Sequence, residues 1–293
     1  LLSLDSVRHR YFLLANGSTR FGLGLDAIRD TQLAIPELKE QERIAEILGS
    51  ADDVIEQTRT QIAKLEDLKT ATMNELLTKG IGHTEFKDTE LGPIPESWVV
   101  CKVSEISERV DVGIVSKPAD HYVPEGVPAL RSTNVRLGGV DLTDCKFISA
   151  ESNELFAKSQ IRAGDVLTVR TGVPGVSAVV PRLLDGANCI DILVATPKSH
   201  VRSGFLCEWI NSARGKAQVL DKQAGLAQQH FNLGDLRDLL ISLPPISEQD
   251  QIVAATGALE RQIETRNISL LSSEALKKSL MQDLLTGKVR VSV

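Results

Sequence analysis

The sequence predicts an α+β protein in which one α+β domain is combined with two long helices that form an antiparallel coiled coil. Three observations carry this prediction. A run of about forty residues occurs twice, each copy has helical apolar periodicity, and short β-favouring segments fill the region between the copies. The chain has 293 residues, which leaves room for one domain of ordinary size beside the helices.

The repeated run covers residues 36–78 and returns at residues 244–286. The two copies align without a gap, so that Ile55 matches Ile263 and Lys69 matches Lys277. A self-match of this length indicates an internal repeat, not chance similarity.

Each copy is predicted to be one continuous helix, because apolar residues recur at alternating spacings of four and three. A proline opens each run and acidic residues follow it, as is typical of helix starts. A helix of about forty residues is roughly 60 Å long and needs a partner along its length. The predicted seam consists of Ile44, Leu48, Ile55, Ile62, Leu65 and Leu76 in the first copy and Ile252, Leu259, Ile263, Leu270, Leu280 and Leu284 in the second.

The two helices are predicted to pack against each other in antiparallel orientation. The termini of a compact domain often lie close together, which places the end of the first helix beside the start of the second. Polar residues interrupt the seam and are expected to fix its register and choice of partner. They are Thr58, Lys69, Arg266, Ser273 and Lys277.

The chain is predicted to contain five segments. Residues 20–30 echo residues 230–238, which precede the second helix, so residues 1–35 are interpreted as the remnant of a first domain. Residues 36–82 form the first long helix, and residues 83–97 form a linker rich in proline and glycine. Residues 98–243 form the complete domain, and residues 244–293 form the second helix and a tail.

The complete domain is predicted to contain a mainly antiparallel or mixed sheet. Its β-favouring runs are residues 99–103, 129–131, 146–148, 165–170, 176–180 and 191–195. One helix is predicted over residues 205–220.

Charge, hydropathy and cysteine content argue against several classes of protein. The formal net charge is −6, which argues against a simple basic nucleic-acid binder, although the acidic excess lies largely on the helices. There is no apolar run long enough to span a membrane, and the first residues lack the pattern of a signal peptide, so a cytosolic location is expected. Four widely spaced cysteines are expected to be reduced thiols without zinc.

The sequence contains no convincing catalytic motif. Phosphate-cradling and dinucleotide-binding glycine patterns are absent. Residues 243–246 have two prolines but lack the asparagine and aromatic of an amino-methyltransferase motif. Glu37 and Lys39 with Asp30 resemble a nuclease metal site, yet the second copy has Pro245 and Ser247 in place of the Glu and Lys. No catalytic or metal-ligating residue is therefore predicted.

Three segments carry a resemblance to a known family. Leu-Gly-Pro-Ile-Pro-Glu-Ser-Trp at residues 91–98, Ala-Gly-Asp-Val-Leu at residues 163–167 and the run at residues 243–252 are similar to the DNA specificity subunit of type I restriction-modification systems. In that family two target-recognition domains alternate with two long antiparallel helices. Each domain reads half of a split DNA site, and the helices hold modification subunits.

The resemblance implies a non-catalytic chain that directs methyltransferase and restriction subunits to a DNA half-site. It implies double-stranded DNA and modification subunits as partners, no membrane, and S-adenosylmethionine bound by the modification subunit and not by this chain. Pairing with the restriction subunit and pairing of two half-subunits stay open. The chain departs from the family in having one complete domain, which leaves open a fragment, a truncated gene or a natural half-subunit.

Two sets of residues are candidates for DNA contacts. Arginine can donate two hydrogen bonds to guanine, and asparagine or glutamine can bind adenine. The base-reading candidates are Arg131, Asn134, Arg136, Arg170, Thr171, Gln228, Gln229 and His230, and for each of them a solvated loop charge or a turn cap is at least as strong an interpretation as a base contact. The phosphate-contact candidates, which position a protein on DNA without reading sequence, are Lys198, Arg202, Arg214, Lys216 and Lys222.

The alternative function is that of a coiled-coil assembly scaffold whose domain binds protein. The negative net charge and the lack of a dense basic patch favour it. DNA binding that depends on salt concentration would separate the two hypotheses.

Overall fold

The computed structural model describes residues 1, 4–15, 22–33, 35–223 and 230–291, so Gln228 and Gln229 lie outside the described residues. The chain divides into two compact units, one formed by Leu1–Asp67 and Arg261–Val293 and the other by Leu68–Glu260.

The secondary structure contains two helices that are far longer than the others. The α-helices of the described residues are α1 Asp5–Leu14, α2 Leu25–Arg29, α3 Leu38–Lys79, α4 Val103–Ile106, α5 Ala150–Leu155, α6 Ser203–Asn211, α7 Ala213–Gln223, α8 Leu233–Arg237 and α9 Ile246–Leu285. The strands are β1 Phe86–Lys87, β2 Ile94–Pro95, β3 Val99–Lys102, β4 Ser107–Val112, β5 Tyr122–Val123, β6 Val127–Leu130, β7 Val135–Arg136, β8 Gly139–Val140, β9 Lys146–Ile148, β10 Val166–Val169, β11 Ser177–Val179, β12 Asn188–Cys189, β13 Ile192–Pro197 and β14 Leu240–Leu243.

Helices α3 and α9 are the two copies of the repeat. Each begins within two residues of the position expected from its proline, and each runs without a break. The seam residues predicted on both helices are all buried or half-buried. The periodicity therefore located both helices and the face that each one buries.

In the unit formed by Leu1–Asp67 and Arg261–Val293, ion pairs show the direction of the two helices. Glu40 binds Arg290, Asp52 binds Lys277, and Arg59 binds Glu274. Positions on α3 rise while their partners fall, which is the pattern of antiparallel helices. The predicted antiparallel coiled coil is confirmed.

In the unit Leu68–Glu260, the end of α3 and the start of α9 are part of the main apolar core. Ile252 of α9 is fully buried in a cluster with Trp98, Phe205 and Trp209, and Leu76 packs against that cluster. Leu77, which the seam pattern did not include, is also buried there. Leu76 and Ile252 thus contribute to the domain core in addition to continuing the helical stripe.

The domain is built on two four-stranded sheets. One has the order β11-β10-β13-β4 and is antiparallel throughout. The other has the order β12-β6-β9-β5, and within it β12 and β6 are parallel. The prediction of an antiparallel or mixed sheet is confirmed, and each of the six predicted strand runs overlaps an observed strand.

The helix predicted over residues 205–220 is two helices. The chain becomes extended at Ser212, where α6 ends and before α7 begins. The Ser212 hydroxyl donates to the Trp209 carbonyl and accepts from the Gly215 amide, at 2.6 and 3.2 Å. A side chain at Gly215 would meet the Ile210 carbonyl at 2.3 Å, so glycine permits this tight turn.

The predicted linker at residues 83–97 is part of the packed structure. It contains β1 and β2, which pair with each other. Ile94 is fully buried in the main core together with Trp98. Proline and glycine mark turns in this segment, and the apolar residues between them anchor it.

Helices α1 and α2 precede α3 at the repeat positions at which α7 and α8 precede α9. Leu236 of α8 is fully buried, whereas the matching Ile28 of α2 is 45% exposed. Leu243 of β14 is 7% exposed, whereas the matching Ile35 is 71% exposed. The apolar pattern of the second copy therefore recurs in residues 1–35, but there these side chains are more exposed.

Candidate nucleic-acid interface

Arg170 lies where β10 ends, next to the start of β13. Since Val169 pairs with Ile192, the residues just outside this pair, Arg170 and Asp191, are neighbours. Arg170 Nη1 donates to Asp191 Oδ1 at 2.6 Å, and the Thr171 hydroxyl donates to Asp191 Oδ2 at 3.2 Å. The carboxylate therefore holds two candidate side chains at once.

His230 joins the same group from a different part of the chain. Its Nδ1 lies 3.3 Å from the Thr171 hydroxyl, and the adjacent Phe231 amide donates to the Arg170 carbonyl at 3.0 Å. Asn232 Oδ1 lies 3.5 Å from Arg170 Nη2. We call Arg170, Thr171, Asp191, His230 and Asn232 the Arg170 cluster.

Two members of the Arg170 cluster, Asp191 and Asn232, were missed by sequence reasoning. Asp191 has a positive φ of 50°, which is uncommon for a residue other than glycine. Such backbone strain persists where surrounding structure enforces it, often at functional sites. The available signal was a lone aspartate between the buried residues Ile190 and Ile192.

A second group of candidates lies in the loops around β7. Arg131 Nη2 donates at 2.8 Å to both the carbonyl and the carboxylate of Asp144. The Arg131 hydrogen bond, followed by the charges of Lys146 and Arg131, lowers the pKa of Asp144. Arg136 is exposed at the end of β7. Arg131 and Arg136 therefore both lie in the loops around β7, and Arg131 is held there by Asp144.

The prediction that Asn134 reads a base is wrong. Its side chain is fully buried, accepting from the Arg131 amide at 2.9 Å and donating to the Asp141 carbonyl at 2.8 Å. The alternative, a side chain that caps a turn, applies to this residue. Its amide shapes the loop that presents Arg131 and Arg136.

The phosphate-contact candidates differ in whether their charged groups are already bound within the protein. Arg202 makes a two-bond ion pair with Asp250 at 2.6 and 2.9 Å, and that hydrogen bonding lowers the pKa of Asp250. Lys198 donates to the Glu105 carbonyl at 2.6 Å. Lys216 and Lys222 are exposed on α7. Lys216 and Lys222 are thus the better placed cations.

Arg214 is the weakest of these candidates. Its side chain is half-buried, Nη2 donates to the Pro93 carbonyl at 3.0 Å, and Nη1 is buried without a hydrogen-bond partner. Desolvation lowers the pKa of its guanidinium. These contacts assign Arg214 to the attachment of α7 to residues 91–95 and contradict its proposed phosphate contact.

The described residues hold no group of three or more histidine, cysteine or acidic side chains that could bind a metal. Burial raises the pKa of Cys189 and of Cys207 to about 12, so neither is a reactive thiolate. A polar cavity of about 280 Å³ is lined by Arg109, Gln160, Arg162 and Asp185 among others. The Arg109 guanidinium is bound to Asp165 at 2.8 Å and to the Gln160 carbonyl at 3.0 Å, so it is engaged within the fold.

No helix in the described ranges is long and apolar enough to cross a membrane.

Comparison with known proteins places this architecture. Residues 6–67 match the family described as the type I restriction modification DNA specificity domain. The chain is 28% identical over 272 residues to a putative type I restriction enzyme MjaX specificity subunit of Methanocaldococcus jannaschii, covering 90% of this chain and 60% of that subunit. It is 24% identical to the EcoKI specificity subunit of Escherichia coli K12, covering 88% and 57%.

Solved structures share the fold. The HsdS subunit from Thermoanaerobacter tengcongensis matches with a TM-score of 0.54 at 18% identity, covering 98% of this chain and 68% of that one. The type I S subunit from M. genitalium matches with a TM-score of 0.56 at 14% identity, covering 96% and 70%.

The α+β domain and the paired long helices therefore have the fold of the solved S subunits to which the chain is similar. Over about nine-tenths of its length the chain is similar to specificity subunits of type I restriction enzymes, and its residues 6–67 match the DNA specificity domain of that family. It spans about 60% of the length of the curated relatives that it matches.

Proposed function

We propose that this chain is a non-catalytic DNA recognition subunit that binds one half-site through the domain at residues 98–243. The observation that carries the proposal is the Arg170 cluster, in which residues just after β10, just before β13 and just before α8 meet at one edge of the sheet. Clustered donors and acceptors suit the reading of base edges, and the family supports that role.

The antiparallel helices support a second part of the proposal. A rigid helical pair can set the distance between DNA-binding elements and present a surface to modification subunits. The curated relatives are named as specificity subunits of type I restriction enzymes, and one similar structure concerns assembly of a type I system. We infer that modification subunits bind this chain, that they supply S-adenosylmethionine, and that assembly takes place in the cytoplasm.

Two further partners belong to the same proposal. The restriction subunit would join through the modification subunits, and a second copy of this chain would supply the other half-site. Linking two half-sites raises affinity only if the spacing allows both to be bound at once. A split-site duplex with variable spacing tests this directly.

A scaffold that binds protein is the alternative function. The observation in its favour is that Arg202 and Arg214 are engaged within the fold of a chain with a net charge of −6. A scaffold would show no preference among DNA sequences.

The test is equilibrium binding of the full chain, alone and with purified modification subunits, to labelled duplexes at several salt concentrations. We expect weak, salt-dependent binding to random duplexes and tighter binding to one short half-site recovered from a randomised library. Equal binding to random and selected duplexes at every salt concentration would leave the scaffold as the better explanation.

A further inference from the structure

We propose that Arg170 and Asp191 together read one G·C base pair of the half-site in the major groove. The inference rests on the proposed DNA-binding function and specifies which base pair is recognised. Asp191 enters here as a residue that contacts DNA and also positions Arg170.

The first step is the order of hydrogen-bonding groups in the pair. Arg170 Nη1 donates to Asp191 Oδ1 at 2.6 Å, so the two terminal guanidinium nitrogens and the carboxylate form a sequence of donor, donor and acceptor. In the major groove a G·C pair presents guanine N7, guanine O6 and cytosine N4, which are acceptor, acceptor and donor. The two sequences are complementary.

The second step is spacing. Guanine O6 and cytosine N4 are hydrogen-bonded to each other in the base pair, so they lie about 2.9 Å apart. Arg170 Nη1 and Asp191 Oδ1 are separated by a similar distance, 2.6 Å. An A·T pair presents acceptor, donor and acceptor, which would set an arginine N–H against the adenine amino group.

The third step concerns which groups stay available. Arg170 Nε is buried without a partner, so a base contact uses the terminal nitrogens. The bond from Nη2 to Asn232 is long, at 3.5 Å, and a base can replace it. The Thr171 hydroxyl binds the other carboxylate oxygen and restrains the orientation of Asp191.

The fourth step is access. Gly172 and Val173 follow Thr171 in the turn between β10 and β11, and both are exposed. Gly172 has a positive φ of 92°, and a Cβ built there would have no neighbouring atom within 4 Å. The turn beside the pair therefore leaves room for a DNA groove to approach.

The pair formed by Arg131 and Asp144 offers a matched control. Asp144 also has a positive φ, 58°, and it also binds an arginine. Here, however, Arg131 Nη2 donates to both the backbone carbonyl and the carboxylate of Asp144, which ties the loop closed. Both pairs join an arginine to an aspartate. Because Arg131 Nη2 is used twice within its own loop, only the pair of Arg170 and Asp191 presents a donor, a second donor and an acceptor in sequence.

The experiment is selection from a randomised duplex library by the full chain, followed by binding measurements on the recovered half-site. The variants are Arg170→Lys, which keeps the charge but loses the paired donors, and Asp191→Asn, which is nearly isosteric but replaces the charged carboxylate with an amide that has one acceptor oxygen instead of two. We expect each to lose roughly 10- to 100-fold of preference at one G·C position while binding to random DNA is retained. Arg131→Lys and Asp144→Asn are expected to leave the preference at that G·C position unchanged.

The melting temperature of each variant is measured by circular dichroism. If the pair had a merely structural role, Asp191→Asn would lower the melting temperature without changing the recovered sequence, and the proposal would be overturned. A wild-type half-site with no G·C pair that responds to these variants, or a preference that follows Arg131 and Asp144, also overturns it. A wild-type chain that recovers no sequence at all overturns the DNA-binding function as well, which separates the two failures.

Discussion

Lys69 and Lys277 occupy the same position in the two copies of the repeat, and each binds an acidic residue on the opposite helix. Lys69 binds Glu260 and Lys277 binds Asp52. Glu260 and Asp52 also match each other in the repeat. The same ion pair is therefore made twice, once in each compact unit, and it fixes one antiparallel register of α3 against α9.

We expect exchange of the charges between Lys69 and Glu260 to show this coupling. Lys69→Glu alone places two acidic side chains together, and Glu260→Lys alone places two lysines together, each at a cost of about 0.5–1 kcal/mol. The double variant is expected to regain most of that loss. The measurement is urea unfolding of all four proteins, and additive losses in the double variant would contradict a direct interaction.

A second pair of matching residues joins each helix start to the chain beyond the other helix. Glu248 accepts hydrogen bonds from the Ile81 amide, the His83 ring and the Trp98 indole at 2.9–3.0 Å. Its counterpart Glu40 accepts two from Arg290 at 2.7 Å. Both carboxylates are buried in the first turn of a long helix.

We expect Glu248→Ala to destabilise the unit Leu68–Glu260 by about 2–4 kcal/mol, because it leaves several donors, including the indole of the fully buried Trp98, without an acceptor. Thermal unfolding followed by tryptophan fluorescence measures the loss. The matched control is Glu40→Ala, which is expected to cost less, since its partner Arg290 is largely exposed and can be solvated. Equal losses in the two variants would contradict this account.

A buried carboxyl group makes stability depend on pH. Desolvation raises the pKa of Glu208 to about 7, partly opposed by a hydrogen bond from Thr256 and by the charge of Lys69, while Glu260 adds to the increase. Because the folded-state pKa lies above the unfolded value, the stabilising contribution is present below about pH 4.5 and is lost as pH rises through about 7.

We therefore expect Glu208→Gln to be less sensitive to pH than the wild type between pH 5 and 8. Glutamine cannot ionise, so the loss of unfolding free energy that accompanies ionisation of Glu208 is removed. Unfolding in urea at pH 5, 6, 7 and 8 checks this. Parallel curves for the two proteins would show that another group dominates in this range.

The helical part of the fold could be predicted because its signals are local and repeated. Spacings of four and three located the buried face of α3 and α9, and the gapless repeat indicated that they are partners. Ser212 shows where such reasoning stops, since the break between α6 and α7 depends on contacts of its hydroxyl with Trp209 and Gly215. Apolar periodicity alone does not predict that turn.

The candidate site was only partly predictable, because residue type suggests chemistry but not exposure. Arg170, Thr171 and His230 were selected as donors and acceptors, and the structure brings them together. Asn134 was selected by the same reasoning, yet it is buried in its own loop. Asp191 was missed because it meets Arg170 only through the pairing of β10 with β13. The local sequence does not indicate which strands pair.

Lys216 and Arg214 lie two positions apart on α7 and are expected to behave differently in DNA binding. Lys216 is exposed, so Lys216→Ala should weaken binding to all sequences and reduce the slope of log affinity against log salt concentration by about 1 if it contacts one phosphate. Arg214 donates to the Pro93 carbonyl, so Arg214→Ala should lower the melting temperature and leave the salt slope unchanged. Lys222→Ala, at the exposed end of the same helix, tests whether α7 as a whole faces DNA.

The measurement is fluorescence anisotropy on a random duplex between 50 and 200 mM salt, a range over which each phosphate contact changes affinity by roughly threefold. A salt slope that changes with neither Lys216 nor Lys222 would show that another surface of the domain faces the phosphates, and a slope that changes with Arg214 would contradict its structural role.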